Sequence, residues 1–261
     1  GRLNNQGLIT APLLVLKNLA MVDNQGGEIS SAQGFTLNAA SLDNSNGKLI
    51  SNQALTLRIE QALVNAKGLI SASALNQHSA SLDNSEGLLS SRRELNVDVD
   101  DELVNRNGSV VGDGHTRLTA QQLNNDNGKV SSKGDLTGRF TDVSNQSGSL
   151  TTLGMLKLDA GTLHNQKAGL LGGGAGGILN IGALDNRGGE IISNGSLQLT
   201  GQKLDNSDSG QISASGWLHL TVDEGLNRDK GHMSAQTGLS LLGTTLTNTG
   251  GSLSSQQNLD V

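Results

Sequence analysis

Apolar residues along this chain fall at every second position in short bursts. Leu55 and Leu57, Leu95 and Val97, Leu156 and Leu158, Leu197 and Leu199, and Leu218 and Leu220 each skip one residue. Ser, Thr and Asn fill many of the positions between them, and Gly, Asn and Asp punctuate the gaps. Alternation with a period of two puts one set of side chains on a buried face and the other in water, which is the pattern of a half-buried strand. The Gly, Asn and Asp clusters supply the turns. No segment carries a helical period, so the pattern predicts an all-β chain of short strands.

The strands recur in register. "LDNSNGKLIS" at 42–51 returns as "LDNSEGLLSS" at 82–91, "LDNRGGEIIS" at 184–193 and "LDNSDSGQIS" at 204–213. The Asn of this phrase, two residues after an apolar anchor, appears as Asn5, Asn24, Asn44, Asn65, Asn84, Asn105, Asn125, Asn145, Asn165, Asn186, Asn206 and Asn248. Arg228 takes the slot once, beside Asn227. The 12 intervals span 243 residues, a mean period of about 20. A Gly follows the slot by two to four residues in every copy. Two residues beyond that Gly the position is always apolar: Ile9, Ile29, Leu49, Ile70, Leu89, Val110, Val130, Leu150, Leu171, Ile191, Ile212, Met233 and Leu253.

A unit of this length with two short strands cannot bury its apolar face alone and must stack on copies of itself. Leucine-rich repeats share the period but need a fuller Leu pattern and a different return segment. The strand-only pattern predicts a parallel β-helix of about 13 coils, each about 20 residues. With coils ~4.8 Å apart, it would form a rod of roughly 60 Å. The Asn residues then form a corner column, hydrogen-bonding from coil to coil and satisfying turn amides. The Gly is expected to adopt a backbone conformation that other residues avoid.

Composition fits a narrow, regular interior. Only Phe35, Phe140 and Trp217 are aromatic, Tyr is absent, Gly reaches 36 and Pro12 is the single proline. The core must therefore be built from Leu, Ile, Val and Ala. A net charge of −6 leaves no basic surface for a phosphate backbone, and bases would find almost nothing to stack on. Nucleic-acid binding is not expected. The absence of Cys excludes disulfides and thiolate metal sites. No apolar run reaches the roughly 18–20 residues of a membrane-spanning helix, so no membrane insertion is expected. The chain opens on Gly1 with no signal peptide and stops in mid-unit at Val261, and neither terminus carries an amphipathic cap. Residues 1–261 are thus expected to be a single β-helical domain cut from the central shaft of a much larger protein.

Candidate chemistry is sparse. Asp precedes the Asn slot at Asp23, Asp43, Asp83, Asp185 and Asp205. Stacking would bring Asp23 near Asp43 and Asp185 near Asp205, a pairing suited to Ca²⁺ or to acid–base work. However, Val64, Val104, Ser144 and Thr247 interrupt the column, and the G-G-x-G-x-D calcium pattern is missing. Solvated turn aspartates are the expectation. "NVDVDDE" at 96–102 reads as outward charges on a strand followed by an acidic turn. "GLLGGGAGGILN" at 169–180 lacks the Lys of a phosphate-binding loop and reads as a flexible or bulged turn. The histidines His78, His115, His164, His219 and His232 show no metal-ligand spacing. Trp217 is a surface candidate for anchoring a partner or a sugar, with packing at a corner as its ordinary role. No catalytic, cofactor or metal site is expected.

The phrase "LDNSNGKLISNQALTL" and its copies resemble the repeats of filamentous haemagglutinin-like exoproteins. These include two-partner-secreted adhesins, HecA-type adhesins and CdiA-type contact-dependent growth inhibition proteins, and the resemblance covers essentially the whole chain. It implies a right-handed parallel β-helix in a virulence-associated stalk that is secreted or displayed on the bacterial outer surface. Such a stalk would serve adhesion or contact-dependent toxin delivery, and it would not be an enzyme. The implied partners are flanking repeats of the same parent chain, the outer-membrane two-partner secretion transporter during export, and a host or bacterial cell-surface receptor. The alternatives are a segment that itself binds the receptor and a polysaccharide-degrading β-helix enzyme. The latter wants clustered carboxylates and aromatics for sugar rings, which this chain lacks.

Overall fold

The structure, a computed structural model, describes residues 1–261. The chain is all-β and divides into two compact units, residues 1–133 and 134–261. Each unit is a parallel β-solenoid. Seven turns lie in the first unit and six in the second, about 13 in all at about 20 residues per turn.

Every turn contributes a four-residue strand immediately after the corner Gly, such as Lys48–Ser51 or Glu190–Ser193. Between the first turn and the last, the rest of the turn forms either one long strand, as in Ala54–Val64, or two short ones, as in Phe35–Ala39 and Ser41–Asp43. The four-residue strands stack in phase, because a slip of one residue would turn each buried face outward. In the first unit Ile9, Ile29, Leu49, Ile70, Leu89, Val110 and Val130 pair in sequence. In the second, Leu150, Leu171, Ile191, Ile212, Met233 and Leu253 do the same. All are essentially inaccessible except Ile9 and Leu253, which are partly exposed. This apolar column was fully readable from the repeat.

Two further apolar columns come from the alternating pairs. Phe35, Leu55, Leu75 and Leu95 stack in one, and Leu37, Leu57, Gln77 and Val97 in the next. In the second unit the corresponding columns run Leu136, Leu156, Gly177, Leu197 and Leu218, and Gly138, Leu158, Leu179, Leu199 and Leu220. Where Gly interrupts a column, a neighbour fills the space. A Cβ at Gly138 would lie 2.6 Å from the Phe140 ring, and one at Gly177 would lie 2.6 Å from Leu197 Cδ1.

Three expectations change. Arg228 does not stand in the Asn column; Asn227 does, fully buried, while Arg228 is exposed. The register there pairs Leu204 with Gly225 and Asp205 with Leu226, so Gly225 holds the core slot and Leu226 the Asp slot. Counting from Leu226 as though it were the core anchor moved the frame by one. The glycine-rich stretch is not a flexible or bulged turn. Leu170–Gly173 and Gly176–Asp185 are strands, with only Gly174 and Ala175 between them. Overlying side chains such as Leu197 and Met155 supply the contacts these glycines do not. The third change concerns the corner Gly.

Candidate functional site

The most elaborate side-chain structure in the molecule is the Asn–Gly corner. In the first unit each Asn donates through Nδ2 to Oδ1 of the Asn in the following turn, from Asn5 through Asn24, Asn44, Asn65, Asn84 and Asn105 to Asn125, at 2.7–2.8 Å. In the second unit the same ladder runs from Asn145 through Asn165, Asn186, Asn206 and Asn227 to Asn248. The same Nδ2 group also reaches backbone carbonyls. Asn44, for example, donates to Gly47 O at 3.3 Å and Leu69 O at 3.2 Å, and its own N–H donates to Val64 O at 2.7 Å. A buried primary amide with both donors and its acceptor engaged contributes stability, whereas one left unmatched costs about 1–3 kcal/mol.

The corner Gly is required for closeness, not for a special backbone angle. The left-handed conformation falls on the residue just before it: Asn46, Lys67, Glu86, Asn107 and Asn127 in the first unit, all with φ of 53–56°. Corners one residue longer carry two such residues, as at Lys167 and Ala168, or Asp208 and Ser209. A Cβ on Gly87 would overlap the carbonyl oxygen of Asn65 in the preceding turn and lie 2.7 Å from Asn84 Oδ1. The same collision recurs at Gly47, Gly68 and Gly108, and at Gly189 and Gly210 in the second unit. Gly7 is the exception, with its nearest neighbour 3.9 Å away.

The candidate aspartates are turn residues. Asp43 and Asp83 accept the backbone N–H two residues on at 2.9 Å, and Asp23, Asp185 and Asp205 do so at 3.0–3.2 Å. These are Asx turns, a geometry that Asp and Asn provide without help. The register does pair Asp23 with Asp43 and Asp185 with Asp205, as stacking predicts. Neither pair is an open carboxylate site. Gln25 Nε2 donates to Asp43 Oδ2 at 2.6 Å. Arg187 donates twice to Asp185, at 3.0 and 2.7 Å, and lies 3.7 Å from Asp205.

Burial alone would raise the Asp185 carboxyl, but the Arg187 hydrogen bonds and charge outweigh it and hold Asp185 below its ordinary value. Arg187 is raised correspondingly, first by that hydrogen bond. A carboxylate held ionised by a guanidinium is a poor proton donor, so the pair suits structure better than acid catalysis. It borders a shallow groove of 410 Å³ in the second unit with His164, Lys203 and Glu224. No group of three or more His, Asp or Glu is placed to hold a metal ion.

Trp217 opens the strand Trp217–Leu226 and is half-buried. Its ring stacks on His219, centroids 5.3 Å apart and nearly parallel, and covers Gly238 in the next turn. Asp98 of the acidic stretch points outward between buried Val97 and Val99, and receives His78 Nδ1 at 3.2 Å. Sequence reasoning did not find a second groove, 590 Å³, beside residues 16–19 of the first turn. The signal was present as Lys17 at the spacing where the next turns carry Leu37 and Leu57.

The haemagglutinin repeat profile matches residues 2–140, 127–201, 154–222 and 204–261. No curated protein and no solved structure matches the chain. With the profile covering nearly every residue, and the repeat realised as stacked Asn–Gly corners in both units, the chain belongs to the haemagglutinin repeat family.

Proposed function

We propose that this chain is a stalk segment of a filamentous, adhesin-type bacterial exoprotein, secreted or displayed at the outer surface, and that it acts by spacing and not by catalysis. The observation that carries this reading is the unbroken Asn ladder within each unit, which ties every turn to the next inside a repeat of known adhesin-type family. Interactions between neighbouring turns accumulate along such an array, which suits a load-bearing spacer. Export through an outer-membrane two-partner secretion transporter, and service in adhesion or in contact-dependent toxin delivery, follow from the family resemblance. The ion-paired state of Asp185 favours a non-enzymatic reading over a polysaccharide-degrading one.

The test is binding of the purified, fluorescently labelled chain to bacterial and epithelial cells. The control is a variant with its outward-facing residues permuted. A passive spacer shows no saturable binding to either cell type. Saturable binding that the permuted variant loses would overturn the spacing role and make the segment an adhesin itself.

A further inference from the structure

Asn-Gly occurs four times in the sequence, at Asn46, Asn107, Asn127 and Asn194. Two of the four extend to the same tripeptide, Asn-Gly-Ser, at 107–109 and 194–196. All four Asn residues are exposed. An Asn followed by Gly can modify itself, because the next amide nitrogen, with no Cβ beside it, can attack the side-chain carbon Cγ and close a five-membered succinimide. The closure is fast only where the fold lets the two atoms meet.

At three of the four sites the fold keeps them apart. Asn46, Asn107 and Asn127 stand at the Asn–Gly corner with φ of 55°, 53° and 56°. In that left-handed conformation the following amide nitrogen lies nearly opposite Cβ, out of reach of Cγ. The nitrogen is also engaged. Gly47 N donates to Asn44 O at 2.9 Å, Gly108 N to Asn105 O at 3.1 Å and Gly128 N to Asn125 O at 2.9 Å, and all three glycines are buried. Each is wedged against a backbone carbonyl of the preceding turn, so the corner cannot rotate without unstacking.

Asn194 lies elsewhere, in the bend between the strands Glu190–Ser193 and Leu197–Asp205. Its backbone is not left-handed, so ring closure needs a smaller rotation. Gly195 is only half-buried, and its N–H makes one long hydrogen bond, to the Ser193 hydroxyl at 3.3 Å.

We propose that Asn194–Gly195 is a self-modifying site that converts to aspartate and isoaspartate without an enzyme, and that stacking protects the three Asn–Gly corners from the same reaction. Hydroxide takes the Gly195 amide proton, the nitrogen bonds to Asn194 Cγ, and the side-chain nitrogen leaves as ammonia after taking a proton from water, which regenerates hydroxide. One water then opens the succinimide at either carbonyl. Opening at one gives aspartate, and opening at the other leaves the backbone running through the side chain as isoaspartate. Both products add a negative charge at an exposed position. The iso form also adds a backbone carbon beside Gly195, where a Cβ would already overlap Ala175 O, so it loosens the contact between these turns.

The experiment holds the full 261-residue chain in mildly alkaline buffer made with water enriched in heavy oxygen, then digests it and reads peptide masses over time. Heavy oxygen marks only conversion during the incubation, and retention time separates isoaspartate from aspartate. Conversion at Asn194 is expected to run at least tenfold faster than at Asn107, although both precede Gly-Ser, and faster by the same margin than at Asn46 and Asn127. In denaturant the four rates should fall within about threefold of one another, since the difference belongs to the fold. Asn194→Gln, whose longer side chain cannot close the same ring, should remove the fast product and leave the other three rates as they were. Equal rates at Asn194 and Asn107 in the folded chain would overturn the proposal. So would an unconverted Asn194 in a folded chain whose denatured form reacts, or a rate difference that persists in denaturant.

Discussion

The two units share one framework and depart from it in opposite ways. In the first, the exceptions in the core columns are polar. Gln77 and Ser79 replace apolar residues, with Gln77 Nε2 donating to Ser79 Oγ at 2.6 Å, while Gln77 Oε1 and Thr116 Oγ1 are buried without a partner. In the second, the exceptions are glycines such as Gly138 and Gly177, whose space a larger neighbour fills. The solenoid thus tolerates a missing side chain by letting an adjacent turn repack into the hole. At Gln77 and Thr116 a polar one leaves hydrogen-bonding capacity unmet. Neither kind of exception touches the corner, because the Asn and Gly there are held by backbone atoms that no repacking can move.

The largest expected effect concerns that shared corner. Gly87→Ala and Gly189→Ala should each destabilise by about 3 kcal/mol or more, since the added methyl meets a backbone carbonyl and not a flexible side chain. Gly7→Ala, with open space around it, should leave the denaturation midpoint unchanged. A harmless Gly87→Ala would refute the close-approach account of the repeat.

Next come the ladders. Asn84→Ala and Asn186→Ala should each cost about 1–3 kcal/mol, equally in the two units, because each strands the same amide and carbonyl groups. Hydrogen exchange resolved by residue would show whether the loss stays in the adjoining turns, as nearest-neighbour coupling requires.

The unit-specific exceptions should respond with opposite sign. Gln77→Leu, with Ser79→Val to complete the column, should stabilise the first unit by about 1–2 kcal/mol by removing an unmatched acceptor from an apolar site. Gly177→Ala should destabilise the second by about 1 kcal/mol, because Leu197 already occupies the space. Thermal melts of these variants would break the comparison if both moved in the same direction.

The smallest effect is the Asp185–Arg187 pair. The folded carboxyl lies below its unfolded value of about 3.9, so its contribution is fully present above that pH. It is lost as pH falls through the folded value. Because both groups are partly exposed, less than about 1 kcal/mol should separate wild type from Asp185→Asn at neutral pH, and nothing in strong acid. A stability difference that grew on acidification would show that the pair is not what holds Asp185 ionised.

Much of the fold was legible because the repeat is a geometric statement. A residue that returns every turn must occupy one column, and alternation says which columns face inward, so Leu49, Leu57 and Asn44 could be placed without coordinates. The Asp turns were legible for the same reason: Asx geometry is local, and Asp43 needs only its own chain two residues on. The polar exceptions were visible as letters but silent as energetics, since Gln77 is costly only because its neighbours on both sides are apolar.

By itself, the sequence determined the period, the inward columns and the Asn corner, all of which follow from side-chain type and spacing along one strand. The tertiary structure decided what depends on the adjacent turn. It placed Asn227 and not Arg228 in the ladder, and it showed that the corner Gly is needed for room and not for a backbone angle. It also left residues 13–19 without a strand, so that Phe35–Ala39 pairs on one side only. Each is a relation between backbones ~4.8 Å apart but some twenty residues distant in the chain, and steric fit across that gap is fixed only when the turns are stacked.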